Sequence, residues 1–313
     1  MISNRMVSIS ILVFTYNQQD LIGRTLDSVL KQKEWGLGEI VICDDCSTDN
    51  NWEVIQSYKE KYPQYIRAYR NNPNLGMYRN LERAYQLRGS ADFYGVLAGD
   101  DTCTDGYLQH IQEMVDNNKI DVGKAVAICF DFCVIRPNGI KMNVTINRYL
   151  KKNVSPYRLK FRGFLHARGM VFSEELMAKQ KYLADGKTVT LAESLVEIQP
   201  FKNAEKIYYC PFVANEYYSQ IGVSTTMRDK THYKNDMEKW EYILEHWNLC
   251  KKDQNYALMR KNLLDYAYSP EFGKLLNIVK YYFLSRDKDI PFNILNTLLN
   301  LRLVIKSTFR IGA

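Results

Sequence analysis

Phe93-Tyr94-Gly95-Val96-Leu97-Ala98-Gly99-Asp100-Asp101 is an apolar run that stops on two adjacent carboxylates. A short apolar run bounded by polar turn residues reads as a buried strand, because an amphipathic helix needs a longer run with wider apolar spacing. Asp100 and Asp101 then stand where that strand leaves the sheet. In an open α/β sheet, ligands bind at the carboxyl ends of the strands, where loops can set polar groups around a crevice. Two carboxylates side by side repel each other unless a positive group intervenes. A hard divalent cation, Mg²⁺ or Mn²⁺, carrying the phosphates of a nucleotide is the usual resolution. The plainer alternative is a solvated acidic turn that caps the next helix, and the surrounding chain has to decide between them.

The 313 residues are 46% hydrophobic and 25% charged, enough to bury a large core and inconsistent with a disordered chain. Seven cysteines and four histidines without repeated metal spacing point to reduced thiols in a cytosolic setting. Cys43 and Cys46 form a Cys-x-x-Cys, but no second pair accompanies them and Cys43 ends an apolar run, so a buried thiol is expected. Val7 to Phe14 lacks a following small-residue cleavage site and reads as a first strand rather than a signal peptide. No run of about 18 apolar residues occurs, so no spanning helix is expected. The net charge of +7 favours acidic ligands or anionic surfaces without choosing among nucleotide, nucleic acid and membrane.

Working outward from Phe93, strand and helix patterns alternate. Val7 to Phe14 precedes a helical stripe of Leu21, Ile22, Thr25, Leu26, Val29 and Leu30. Glu39 to Cys43 is a second strand, followed by Trp52, Ile55 and Tyr58 on a helix. Ile66 to Tyr69 is a third, and Met77, Leu81, Ala84 and Tyr85 carry the chain helically to Phe93. Repeated β-α units of this length predict a parallel sheet with helices on both faces.

Three loops should meet at its crevice. Thr15-Tyr16-Asn17 offers a hydroxyl and an aromatic face for a base or ribose. Asp44-Asp45-Cys46-Ser47-Thr48-Asp49 offers a cap for the helix starting near Asn50, with an Asp left to face the ligand. Gly99-Asp100-Asp101 completes the set. A dinucleotide-binding Rossmann enzyme is disfavoured, since no Gly-x-Gly-x-x-Gly follows the first strand.

Taken in order, Val7 to Asn17, Ile40 to Asp49, Asn74-x-Gly76-x-x-Arg79-Asn80 and Gly99-Asp100-Asp101 resemble glycosyltransferase family 2. The resemblance covers about the first 130 residues, and four motifs in order and spacing are far more specific than any one. It implies a GT-A fold, a Rossmann-like mostly parallel sheet. It also implies inverting transfer from a nucleotide-diphosphate sugar, expected to be a UDP-sugar, with Mn²⁺ or Mg²⁺ as cofactor. Carried over, Thr15 and Tyr16 line the nucleoside site, Asp45 accepts from the base, Arg79 approaches the nucleotide, Asp100 faces ribose or sugar, and Asp101 binds the metal. With Asn17, Asp44 and His166, these are the expected nucleotide-sugar contacts.

Beyond residue 130 the match thins. The family's Glu-Asp pair that presents the base is here Ala192-Glu193, so Glu193 is the expected base and Asp185 the alternative. His166 and Arg168 are candidates for the diphosphate or acceptor. The Gln-x-x-Arg-Trp motif of processive synthases is absent, which favours one sugar per encounter. The expected division is a catalytic domain over 1–225 and a helical appendage over 226–313. In the latter Ile294, Leu298, Leu301 and Ile305 make an amphipathic helix with membrane, own core or a second subunit as its partner.

The expectation is a cytoplasmic enzyme, peripheral at the inner face of the membrane. It would add a sugar to a glycan acceptor, lipid-linked in one version, in capsule or O-antigen assembly. A homodimer stays open and no nucleic-acid partner is expected. Two rivals are a nucleotidyltransferase, which would want a Gly-rich basic loop after the first strand, and a catalytically silent sugar-nucleotide binder.

Overall fold

The computed structural model describes residues 5–145, 156–161, 168–179, 198–219 and 230–287. The chain forms two compact units. The first takes Met1–Arg148, Ala167–Ala184 and Gln199–Thr225; the second takes Tyr149–His166, Asp185–Ile198 and Thr226–Ala313. The border expected near residue 225 is therefore one of several, because earlier segments also join the second unit.

The first unit is built on a mixed sheet of nine strands. Along its main path the order is β3 (Ile66–Arg70), β2 (Leu37–Asp44), β1 (Ile9–Thr15), β4 (Phe93–Ala98), β8 (Val171–Ser173), β6 (Val126–Ile135), β9 (Lys206–Tyr218) and β5 (Thr102–Cys103). A short β7 (Lys141–Val144) pairs with β6 to one side. β3, β2, β1 and β4 run parallel, and Phe14 lies opposite both Cys43 and Ala98. The four loops beyond these strands thus open on one edge. β8 is antiparallel to both β4 and β6, whereas β9 is parallel to β6.

β1 is buried nearly throughout because it is covered on both faces, as the unbroken apolar run demanded. On one face Ile9, Ile11 and Val13 join Ile22 and Leu26 of α1 (Ile22–Leu30), Ile55 of α2 (Asn51–Lys61), and Leu108 and Ile111 of α4 (Tyr107–Asn118). α3 (Met77–Leu87) packs on β1 and β2, and its Leu81, Ala84 and Tyr85 are buried there. The α/β fold class and the first four strands are as the periodicity predicts.

β9 runs from Lys206 to Tyr218 straight through a proline. Pro211 has no N–H for a ladder, yet the strand continues: pairing jumps from Phe130–Cys210 to Asp131–Val213, and Pro211 and Phe212 are bulged out. The continuation carries Tyr217 and Tyr218 to the crevice.

In the second unit, α5 (Pro156–Phe161), α7 (Lys230–His246), α8 (Lys251–Tyr268) and α9 (Phe272–Leu284) are helical, α6 (Glu174–Ala178) belonging to the first, and Pro270 falls between α8 and α9. Phe161, Trp240 and Tyr256 pack edge-on or tilted, with ring centroids 5.6 to 5.8 Å apart. Arg158 ties the buried Asp253 (2.7 Å) to Asp287 (2.8 Å), just beyond α9. The amphipathic stretch Ile294 to Ile305 lies outside the described residues.

Gly99 lets the end of β4 approach β1. A Cβ there would stand 2.6 Å from the Thr15 hydroxyl and 2.5 Å from the Gln18 amide oxygen. Gly99→Ala should cost about 1–3 kcal/mol through overpacking. A thermal melt unchanged from wild type would show that this approach is not tight.

Candidate functional site

Four aspartates stand at the ends of two strands, and the fold treats the two pairs differently. Asp44 ends β2 fully buried and accepts from the Ser47 amide (3.0 Å), the Ser47 hydroxyl and the Asn51 side-chain amide (2.7 Å), with Arg70 Nε at 3.5 Å. Asp45 is 2% exposed. Its carboxylate accepts from the Leu75 and Gly76 amides and the Asn71 side chain, each at 2.8 Å. Asn80, also buried, donates to the Cys43 carbonyl (2.8 Å) and accepts from Asn71 (2.8 Å). Both aspartates thus bind the chain itself and hold the loop from Asn71 to Gly76 under β2. Arg79, one turn into α3, lies on the surface just beyond that loop.

Thr15 is buried at the end of β1, where its hydroxyl donates to Gln18 (2.7 Å) and accepts from Asn51 (3.2 Å). Tyr16 projects to the surface. Asn17 adopts φ +52°, a left-handed conformation that asparagine tolerates, and its side chain accepts from the Thr48 amide (2.8 Å). These bonds stitch the β1 loop to the β2 loop. Of the loop residues offered as a cap, Asp49 accepts from the Asn51 amide (3.0 Å), while Ser47 turns back to Asp44. Cys43 is the buried thiol expected, and burial pushes it up to about 12.

The β4 pair is held more loosely. Asp101 is 6% exposed; one carboxylate oxygen accepts from the Tyr218 amide (3.1 Å), and the other lies 3.5 Å from Arg168 Nη1. Burial, and next the neighbouring Asp100 charge, push its carboxyl up to about 7, with Arg168 pulling the other way. Burial raises Asp100 too, against hydrogen bonding from its own backbone and from Gln18. Two arginines ring the pair. Arg24 donates to the Asp100 carbonyl (2.7 Å) and stacks on the Tyr218 ring at 3.8 Å, and Arg168 stacks on the Tyr217 ring at 3.7 Å.

Thr15, Asn17, Asp44, Asp45, Asp100 and Asp101 therefore share one edge of the sheet, linked through Gln18 and Asn51. His166, Asp185 and Glu193 lie outside the described residues. Sequence reasoning missed Arg24, Gln18, Tyr217 and Tyr218. Arg24 sits in a helix whose apolar stripe is its only sequence signal, and the two tyrosines lie beyond a proline that locally disfavours a strand.

The residues fit a divalent cation of one kind only. Among the described residues no group of three or more His, Cys, Asp or Glu could hold a metal. Asp101, buried with a like charge beside it, could instead share a cation with the phosphate oxygens of a ligand, as Mg²⁺ sites commonly do.

A mixed α/β sheet with this crevice beyond its parallel strands defines a GT-A-type protein. The model for "Glycosyl transferase family 2" matches residues 10–176, more than half of the chain, and the protein belongs to that family. Among solved structures, S. aureus TarS residues 1–349 in complex with UDP-GlcNAc superposes with TM-score 0.58 at 15% identity, covering 88% of this chain and 79% of that one, a likeness of fold. An uncharacterised Mycobacterium tuberculosis protein is 26% identical over 53% of this chain and 47% of its own. The abequosyltransferase RfbV of Salmonella typhimurium is 31% identical over 35% of this chain and 33% of its own. The chain spans about half the length, or less, of these curated relatives.

Asp101 makes a testable demand on stability. Its folded pKa of about 7 lies above the ordinary 3.8, so the folded state holds the proton more tightly and stability is lost as pH rises from about 4 to 7. Asp101→Asn keeps the acceptor for Tyr218 and removes that loss. In metal-free protein it should be more stable than wild type by about 1–3 kcal/mol at pH 7.5, with the gap closing near pH 4. Melts showing the same gap at both pH values would mean that Asp101 is not strained by its charge.

Proposed function

We propose that the protein is an inverting glycosyltransferase that moves one sugar from a nucleotide-diphosphate sugar, with UDP as the nucleotide, to a hydroxyl of a glycan acceptor in bacterial surface-polysaccharide synthesis. The observation that carries this reading is the buried Asp101 with the half-buried Asp100 beside it, ringed by two arginines at the end of β4, in a family-2 chain. The names of relatives lend support: RfbV is an abequosyltransferase, and E. coli WfaP, 42% identical over 17% of this chain, is a glucosyltransferase acting on a diphosphoundecaprenol-linked sugar. The second name favours a lipid-linked acceptor, and with such an acceptor the enzyme is proposed to work at the inner face of the membrane.

In this reading Thr15, Tyr16 and Asn17 form the wall against which the nucleoside lies. Asp45 sets that wall by fixing the loop from Asn71 to Gly76, and any contact of its own with the base is part of the proposal. Arg24 and Arg168 present fixed positive charge where the diphosphate leaves, and because they are already stacked on tyrosines little reorganisation is needed. Asp101, with Asp100 beside it, would hold Mn²⁺ or Mg²⁺, which when bound supplies charge stabilisation to the departing diphosphate. A carboxylate takes the proton from the acceptor hydroxyl. Glu193 is proposed for this role, with Asp185 as the alternative.

The test is nucleoside-diphosphate release from a panel of UDP-, GDP- and CDP-sugars with a polyprenyl-diphosphate sugar as acceptor. UDP-sugars should be the substrates, and Glu193→Gln should lower turnover by about 10²- to 10⁴-fold while leaving UDP affinity intact. If Asp185→Asn gives that loss and Glu193→Gln does not, the base is Asp185. Release from no nucleotide sugar would favour the silent binder.

A further inference from the structure

α9 is the described helix whose outward face does not match an ordinary solvated surface. Its inner face docks on α8: Ile278 is buried, Lys274 bonds Asp265 (3.0 Å), and Asn255 donates to the Leu284 carbonyl (3.2 Å). Its outer face carries Phe272, Leu276, Val279 and Phe283, which are 75%, 55%, 48% and 66% exposed. At about 100° per residue these four fall within an arc of roughly 60°. Tyr282, half-buried, flanks this arc on one side, while Tyr281 falls on the opposite face with Lys274. Contiguous exposed apolar side chains of this size mark a docking surface rather than scattered surface residues.

We propose that this face of α9 is a membrane-contact surface that lies in the plane of an anionic bilayer. The charge around it selects the occupant. Lys280 is exposed at one edge of the apolar stripe and Arg286 just past its end, while the neighbouring Asp287 is held by Arg158 and Lys252. A second copy of the same surface would set like charges against each other, whereas anionic headgroups neutralise them. The chemistry of the stripe also suits the interface: phenylalanine and leucine enter the acyl boundary, and the Tyr282 ring borders them at headgroup level. Spanning is excluded for the helix itself. Its 13 residues reach only about 20 Å, and no described helix is long and apolar enough to cross a membrane. The proposal deepens the inner-leaflet placement above by assigning the surface that makes contact.

The test uses the full chain and needs no turnover, so it fails or succeeds separately from the proposed reaction. Wild type is sedimented with phosphatidylcholine vesicles with and without phosphatidylglycerol, and compared with the double variant Leu276→Glu, Phe283→Glu. Wild type should bind the anionic vesicles at low salt and release at high salt, and the variant should lose at least about tenfold in partitioning. Hydrogen exchange on wild type provides a second readout independent of whether the variant folds: anionic vesicles should slow exchange across 272–284. The proposal is overturned if wild type ignores anionic vesicles, if protection is confined to residues beyond 287, or if light scattering shows a dimer that the variant splits.

Discussion

The structure depends on the enforced closeness of Asp100 and Asp101 at the point where β4 leaves the core. β4 is wedged between β1 and β8, Gly99 allows its end to press against Thr15, and the chain turns at once into β5. The Asp101 carboxylate cannot retreat to solvent, and Asp100 is only partly exposed. Charge that a free chain would hold at no cost is therefore strained in the folded state. Such strain persists where surrounding structure over-determines it, and at a ligand crevice it is a source of affinity.

The contrast with Asp44 and Asp45 shows what makes the β4 pair available for chemistry. All four residues look alike in sequence, two adjacent acids after an apolar run. At β2 the acceptors are filled by backbone amides, asparagine side chains and a serine, so those carboxylates organise the loops. At β4 Asp101 has one backbone amide and Arg168 at 3.5 Å, Asp100 has its own backbone and Gln18, and both arginines are set back onto tyrosine rings. An arginine stacked in this way keeps N–H groups for an incoming anion, and the buried carboxylate keeps a lone pair for a cation. A diphosphate with its metal complements both at once.

The first four strands were legible because parallel strands covered on both faces read as unbroken apolar runs, and the motif order identified the family. Legibility failed where tertiary context overrode local signals. Pro211 reads as a strand end, but the bulge removes it from the ladder and the strand runs on to Tyr218. Arg24 lies within an amphipathic helix, and nothing in its spacing shows that it reaches a carbonyl beyond β4. Asp45 reads only as a ligand contact, and its bonds to Leu75, Gly76 and Asn71 had no local cue, because they depend on how a distant loop tucks beneath it. The second unit was readable as helical and aromatic, while its recruitment of the helix from Pro156 to Phe161 had no local cue.

The central claim is that Asp101 is strained in the free protein because its partner is a cation brought with a nucleoside diphosphate. Thermal melting with UDP alone, Mn²⁺ alone and both together tests it most directly. The account predicts a rise for the pair well above the sum of the separate rises, since ligands that bind only the folded state stabilise it in proportion to their coupled affinity. It also predicts that this excess disappears in Asp101→Asn. Equal excess in the variant, or merely additive shifts in wild type, would contradict it.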